Sequence, residues 1–328
     1  MNVHIRREVE FENIIAEDWT GSISLTRKRL NVQQLLDSGD SDAQLPARLV
    51  EYLTSMDTTI EHLSKTRSKL LLKQPLFEWT IDDQVISTPC WRIETIVPRV
   101  LLASLYLEDA IGHVGNGLYK EAHHSLTSAV STHSKAIQHL KCWSWKLPEM
   151  DNCVLHEKWH MSQMYYVTGL QNLCLMSVAI GKNSSSTVLG TIAERATRFL
   201  ALSARSWLHS EHCDALLRSV DALRHYFSSN VLWETENYGQ SIYRLENWCR
   251  GPCDFGPFQT LQDEWDKVPL LLHERNQVNL SVYFETVSAP TPLTLALDLT
   301  CTEASNTRAP TEMCPVEAPL GNRVPEDI

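Results

Sequence analysis

From Leu49 onward, apolar residues return at three- and four-residue steps: Leu49, Leu53, Met56, Ile60 and Leu63, then Leu70, with Arg48, Glu51, Glu61, Lys65 and Lys69 between them. That spacing gathers the apolar side chains on one stripe of an α-helix and would scatter them over both faces of a strand. The same period governs most of the chain between residues 20 and 287. Only 12 glycines occur in 328 residues, too few for the many tight turns of a sandwich or barrel. Helices joined by short polar connections are the consistent reading.

Pro75 is expected to end the first helix. A second apolar segment, residues 100–111, follows Pro98 and closes near Gly112, Gly115 and Gly117. Further helices are expected over 120–141, 154–180 and 187–208. Residues 214–230 and 231–248 read as one long bent pair, 250–258 as a loop, and 261–282 as a helix broken at Pro269. Strand is expected only in short pieces near Trp79 and at 282–285. Consecutive amphipathic helices with short links stack as antiparallel pairs. No 34-residue tetratricopeptide period is present, so the stacking is irregular, as in one curved domain. After Ser288 prolines crowd in, at 290, 292, 310, 315, 319 and 325, and the tail over 291–328 is expected to be extended or disordered.

The net charge of −11 disfavours broad capture of nucleic acid or of an anionic membrane, which needs a basic surface. Nine scattered cysteines, an odd number without a framework spacing, suit reduced thiols and a cytoplasmic setting. The start, MNVHIRREVEFEN, has no apolar signal core, and no apolar run approaches the ~20 residues that span a bilayer.

The sharpest enzyme-like signal is HEKWH at 156–160. On a zincin helix this spacing sets two imidazoles on one face, with the glutamate as base for a metal-bound water. Against that chemistry, Lys158 adds a cation beside the site of a dication, and no metzincin Gly and His follow. Glu194 is only a nominal third ligand. A zinc hydrolase on His156, Glu157 and His160 is therefore the alternative rather than the leading reading, and no metal or cofactor is expected.

Three stretches, in order, resemble elements of the Bro (Bro-one) domain family of Alix/Brox-like ESCRT-associated proteins. PLFEWTIDD, residues 75–83, is similar to the family's Phe-x-Trp segment after its long early helix. YGQSIYRLENW, Tyr238–Trp248, is similar to its Tyr/Phe-Gly-x-x-Ile-x-x-Leu helix start. NLSVYFETVSAP, 279–290, is close to the Asn-Asp-Phe-Ile-Tyr-His-x-x-Val-Pro element that closes the domain, with Ser288 in place of the proline. Between them, SKAIQHLK at 134–141 resembles the family's Phe-x-His-Ile/Leu-Lys helix end. The resemblance covers roughly residues 20–290, leaving an N-terminal segment 1–19 and the tail 291–328.

The resemblance implies an all-α, curved, irregular tetratricopeptide-like solenoid with minor β structure near its N-terminal part, and no catalytic residues. It implies an adaptor of endosomal sorting that binds the C-terminal amphipathic helix of an ESCRT-III subunit in a shallow apolar groove, with at most peripheral membrane association. Laying the family's Ala-Gln-Ala-Gln-Glu helix on residues 169–173 places the groove at Leu175, Val188 and Ile192. By themselves, a Val and an Ile four apart on a helix read as core. The family's acidic and basic rim residues fall near Lys120 and His124, so a positive group replaces an expected acidic contact. The exposed phenylalanine loop of part of the family has no counterpart at 82–91. A helical scaffold with unrelated partners shares the same fold.

Overall fold

The structure is a computed structural model that describes residues 3–7, 9–15, 22–38, 44–65, 76–82, 84–141, 153–206, 211–249 and 251–289. Residues up to Val287 form one compact unit. A second begins at Ser288, and the tail expected to be extended, 291–328, lies outside the described residues.

A small antiparallel sheet and two helices form the N-terminal core. Strand β1 (Val3–Ile5) pairs with β2 (Phe77–Ile81), which pairs in turn with β3 (Gln84–Thr88). Asp82, at the β2–β3 turn, adopts φ +43°, a left-handed conformation that Asp tolerates. Helices α1 (Ser22–Ser38) and α2 (Leu45–Lys65) pack on the sheet together with the start of α3 (Trp91–Gly115). Phe11, Ile14 and Ile15 are buried in the same core, so part of the segment set apart at 1–19 is structurally continuous with the helical domain. The apolar stripe read from the sequence is the buried face of α2: Leu49, Leu53, Met56, Ile60 and Leu63 are all buried, while Leu70 and Pro75 lie outside the described residues.

One carboxylate organises this lobe. Glu94, in the first turn of α3, is fully buried, and its Oε1 accepts hydrogen bonds from Arg29 Nε (2.8 Å) and Tyr52 Oη (2.6 Å). Its Oε2 accepts the indole N–H of Trp79. The Trp of the PLFEWTIDD segment is therefore a core residue whose polar edge needs α3, as buried indoles generally need a partner.

From α3 onward each helix packs chiefly on its sequence neighbours: α4 (Tyr119–Lys141), α5 (Glu157–Gly181), α6 (Ser186–Ser206), α7 (Glu211–Glu234) and α8 (Tyr238–Trp248). Then come α9 (Gln259–Trp265), α10 (Val268–Val278) and a single π-helical turn, Asn279–Tyr283. This is an irregular all-helical solenoid with one small sheet.

Three boundaries differ from the sequence expectation. Helix α3 starts seven residues before Pro98, which lies inside it. Burial of Glu94, Thr95, Ile96 and Val97 outweighs the lost hydrogen bond and ring clash of an internal proline. The break between α7 and α8 falls at 235–237, where Glu236 takes φ +63°, rather than after Asn230. Residues 282–285 form no strand. The chain leaves the π turn through Phe284 at φ +55°, whose N–H donates to Asn279 O (2.6 Å).

The domain closes on Gly239. Its N–H donates to Glu285 Oε2 (2.7 Å), and a Cβ built on it would lie 3.0 Å from the backbone carbon of Thr286 and still closer to its oxygen. The glycine of the Tyr-Gly-x-x-Ile segment is thus needed for close approach of the closing strand of chain. Asn279 clasps the same turn, donating from Nδ2 to Glu285 O (2.9 Å) and accepting from Glu285 N–H at Oδ1 (3.0 Å).

Candidate functional site

Helices α4, α5 and α6 present one continuous solvent-facing surface. Two contacts set the α4–α5 register: His133 with His160, and Gln171 Nε2 donating to Thr127 Oγ1 (2.9 Å). Numbers rise along one helix as they fall along the other, so the two are antiparallel. One turn beyond the Thr127–Gln171 contact, His124 lies about level with Leu175. Two more contacts set the α5–α6 register: Ser162 Oγ donates to Ser203 O (2.9 Å), and the rings of Tyr165 and Phe199 stack at 6.3 Å. Carried along the pair, that register puts Leu175 about level with residues 189–190, between Val188 and Ile192.

The three residues assigned to the groove therefore converge. Leu175 is 45% exposed and Val188 47%, whereas their neighbours Leu173 and Leu189 are buried at 0% and 7%. Ile192 is half-buried and packs against the core, forming the wall rather than the crest of this strip. On α5, Met164, Thr168 and Gln171 continue the stripe at three- and four-residue steps from Leu175, all half-buried and uncharged.

Lys120 and His124 are exposed on α4. On α6, Arg195 and Arg198 are exposed too, at three and six residues from Ile192. The sequence reading passed over these arginines, although Arg195 is seven residues after Val188 and its helical face could be read from that spacing.

The HEKWH segment has a structural use. His156 precedes α5 as its N-cap residue and is exposed, while His160 is buried inside the helix. Glu157 pairs with Lys141 (3.0 Å), and Glu194 pairs with Arg224 of α7 (3.3 Å). Both ring nitrogens of His160 are engaged: Nε2 lies 2.8 Å from Val154 O, and Nδ1 lies 3.1 Å from His133 Nδ1. A carbonyl oxygen only accepts, so Nε2 carries the proton; Nδ1 of His160 then accepts from Nδ1–H of His133. Burial pushes the pKa of His160 down to about 4, and burial with the neighbouring imidazole pushes that of His133 down to about 3. The pair is a neutral core clasp between α4 and α5.

Among the described residues, no group of three or more His, Cys, Asp or Glu is arranged to hold a metal ion, and no helix is long and apolar enough to cross a membrane.

No protein-family model matches the sequence, and no curated protein matches it. Solved structures do match the fold. The ALIX Bro1 domain in its complex with CHMP4C aligns with a TM-score of 0.66 at 12% identity, over 88% of this chain and 89% of that one. ALIX in complex with the SIVmac239 PYKEVTEDL late domain aligns with a TM-score of 0.64 at 13% identity, over 82% of this chain and 41% of that one. A Bro1 domain described as the structural basis for endosomal targeting aligns with a TM-score of 0.62 at 13% identity, over 89% of this chain and 87% of that one. The chain has a Bro1-domain-like fold.

Proposed function

We propose that this Bro1-like fold serves as a non-catalytic protein-binding adaptor, and that its α4–α6 face receives the C-terminal amphipathic helix of an ESCRT-III subunit in endosomal sorting or membrane remodelling. The observation that carries the reading is the convergence of Leu175, Val188 and Ile192 at one level of two adjacent helices, with Leu175 and Val188 nearly half exposed. A helix docking in a groove needs such a receiving strip, because its anchors at i, i+3, i+4 and i+7 bury apolar area only against apolar area. An exposed apolar residue alone needs no explanation; an aligned set beside a polar border does.

The fold supports the same reading, since a protein of similar architecture is known in complex with the ESCRT-III subunit CHMP4C. The domain boundaries proposed with it are a Bro-like body over residues 20–290 with flanking segments 1–19 and 291–328, the first of which adds Phe11, Ile14 and Ile15 to the N-terminal core. Recruitment from the cytoplasm to endosomal membranes would follow from the partner.

The test is a titration of a fluorescently labelled peptide carrying the C-terminal helix of an ESCRT-III subunit, read by anisotropy. Saturable binding that is lost in a Val188→Asp variant with unchanged circular dichroism is the expected result. Absence of binding to the intact chain at high micromolar concentration would refute the assignment.

A further inference from the structure

The border of the groove says what kind of helix it takes. Helices α4, α5 and α6 carry seven Lys and Arg against three carboxylates, Glu121, Glu157 and Glu194, in a chain whose net charge is −11. Two of those carboxylates are committed elsewhere, Glu157 to Lys141 and Glu194 to Arg224 of α7. Glu121 is one residue beyond Lys120, about 100° further round α4 and away from the stripe that Lys120 shares with His124 and Thr127. On the opposite border, Arg195 and Arg198 extend the exposed stripe of α6 that begins at Val188. None of Lys120, Arg195 and Arg198 has a carboxylate partner among the described residues. The apolar strip thus has Lys120 at its α4 border just beyond Leu175, and Arg195 and Arg198 at its α6 border further back along α5, with no free acid facing it from α5.

Resting on the groove reading above, we infer that the partner is an amphipathic helix whose apolar stripe is flanked on both sides by Asp and Glu. An acidic flank satisfies these cations; a basic flank places like charges opposite them on both margins, which excludes wrong partners more strongly than any single pair attracts the right one. Because the margins are exposed, the selectivity rests on several weak, salt-screened contacts acting together.

The experiment compares two helical peptides with one Leu stripe, one flanked by Glu and one by Lys, titrated against the intact chain and against a Lys120→Glu/Arg195→Glu variant. The Glu-flanked peptide should bind the intact chain on the order of tenfold more tightly in low salt, the gap should shrink to about threefold at high salt, and the variant should reverse the order. Equal binding of both peptides, still abolished by Val188→Asp, would overturn the charge selectivity and leave the adaptor reading standing. Capture of anionic phospholipid vesicles through Lys120 and Arg195, without peptide binding, would overturn it in favour of a membrane surface. Failure of both peptides and of vesicles would remove the groove reading and this inference with it.

Discussion

Replacing Glu94 tests how the N-terminal lobe is held together. Its carboxylate is the acceptor for Arg29, Tyr52 and Trp79, which belong to α1, α2 and β2, and Arg29 itself is only 1% exposed. In Glu94→Ala the guanidinium keeps its bond to Arg7 O (2.6 Å) but loses its counter-charge in a dry site. Leaving a buried charge uncompensated costs about 3–5 kcal/mol, and the orphaned hydroxyl and indole N–H push the total toward the upper end. Against a domain stability of roughly 5–15 kcal/mol, that is a large fraction. With a urea slope of about 3 kcal/mol per molar, the midpoint of unfolding should fall by more than about 1 M, followed by tryptophan fluorescence. The companion variant Arg29→Met/Glu94→Leu removes both charges and should recover most of the loss, since apolar replacements of buried ion pairs are often neutral. A Glu94→Ala midpoint within about 0.3 M of the parent, or a double variant no better than the single, would refute the hub.

Acid should weaken the domain through the His133–His160 clasp. Both folded pKa values, about 3 and about 4, lie below the unfolded value near 6.5. The unfolded chain therefore binds more protons, so stability is complete above pH 6.5 and is lost as pH falls toward 4. The slope reaches ~1.4 kcal/mol per pH unit for each ring, or about 2–4 kcal/mol between pH 6.5 and 5; urea midpoints that stay flat over that window would contradict the pairing. Gly239→Ala gains up to about 1 kcal/mol of helix propensity but drives a methyl group into the backbone of Thr286. The clash should win by about 1–3 kcal/mol, seen as faster amide exchange around Glu285; a stabilised variant would mean that the closing segment yields easily. Leu173→Ala, two residues from the groove but fully buried, should cost about 2–5 kcal/mol of stability, and a loss below 1 kcal/mol would show that the inner face of α5 is misassigned.

Much of the solenoid could be read from the sequence because a helix with one buried stripe declares its period locally. The ranges 120–141, 154–180 and 187–208 overlap α4, α5 and α6 closely for that reason. Misreadings arose where distant contacts decide. Pro98 signals a boundary by local chemistry, yet α3 continues through it because its first turns are buried against α1, α2 and the sheet. Strand β1 is three residues long, and its partner lies more than seventy residues away, so no local pattern marks it. Glu94 looks like any first-turn acid until Arg29, Tyr52 and Trp79 are brought to it.

The groove residues occupy a middle position. Periodicity alone would have sent Val188 and Ile192 to the core, and only the family resemblance singled them out with Leu175. The exposure of Val188 depends on α6 being covered from one side, by α5 and α7, with its outer face open, whereas Ile192 does pack against the core as its spacing suggests. The arginine margin was present in the spacing of Arg195 and Arg198 but has meaning only once the open face is known.

Whether Leu175 and Val188, with Ile192 as the wall beneath them, bind a partner helix rather than hold the core is decided by Val188→Asp, because Val188 is 47% exposed whereas Ile192 also packs against the core. Measured on one preparation, its urea midpoint and its affinity for an ESCRT-III C-terminal helix should diverge. Stability should move by less than about 1 kcal/mol, while an unpaired charge in the interface costs about 2–4 kcal/mol of binding, or roughly 30- to 1,000-fold in Kd. A variant that is unfolded, or one that is stable and binds the helix with unchanged affinity, would contradict the account.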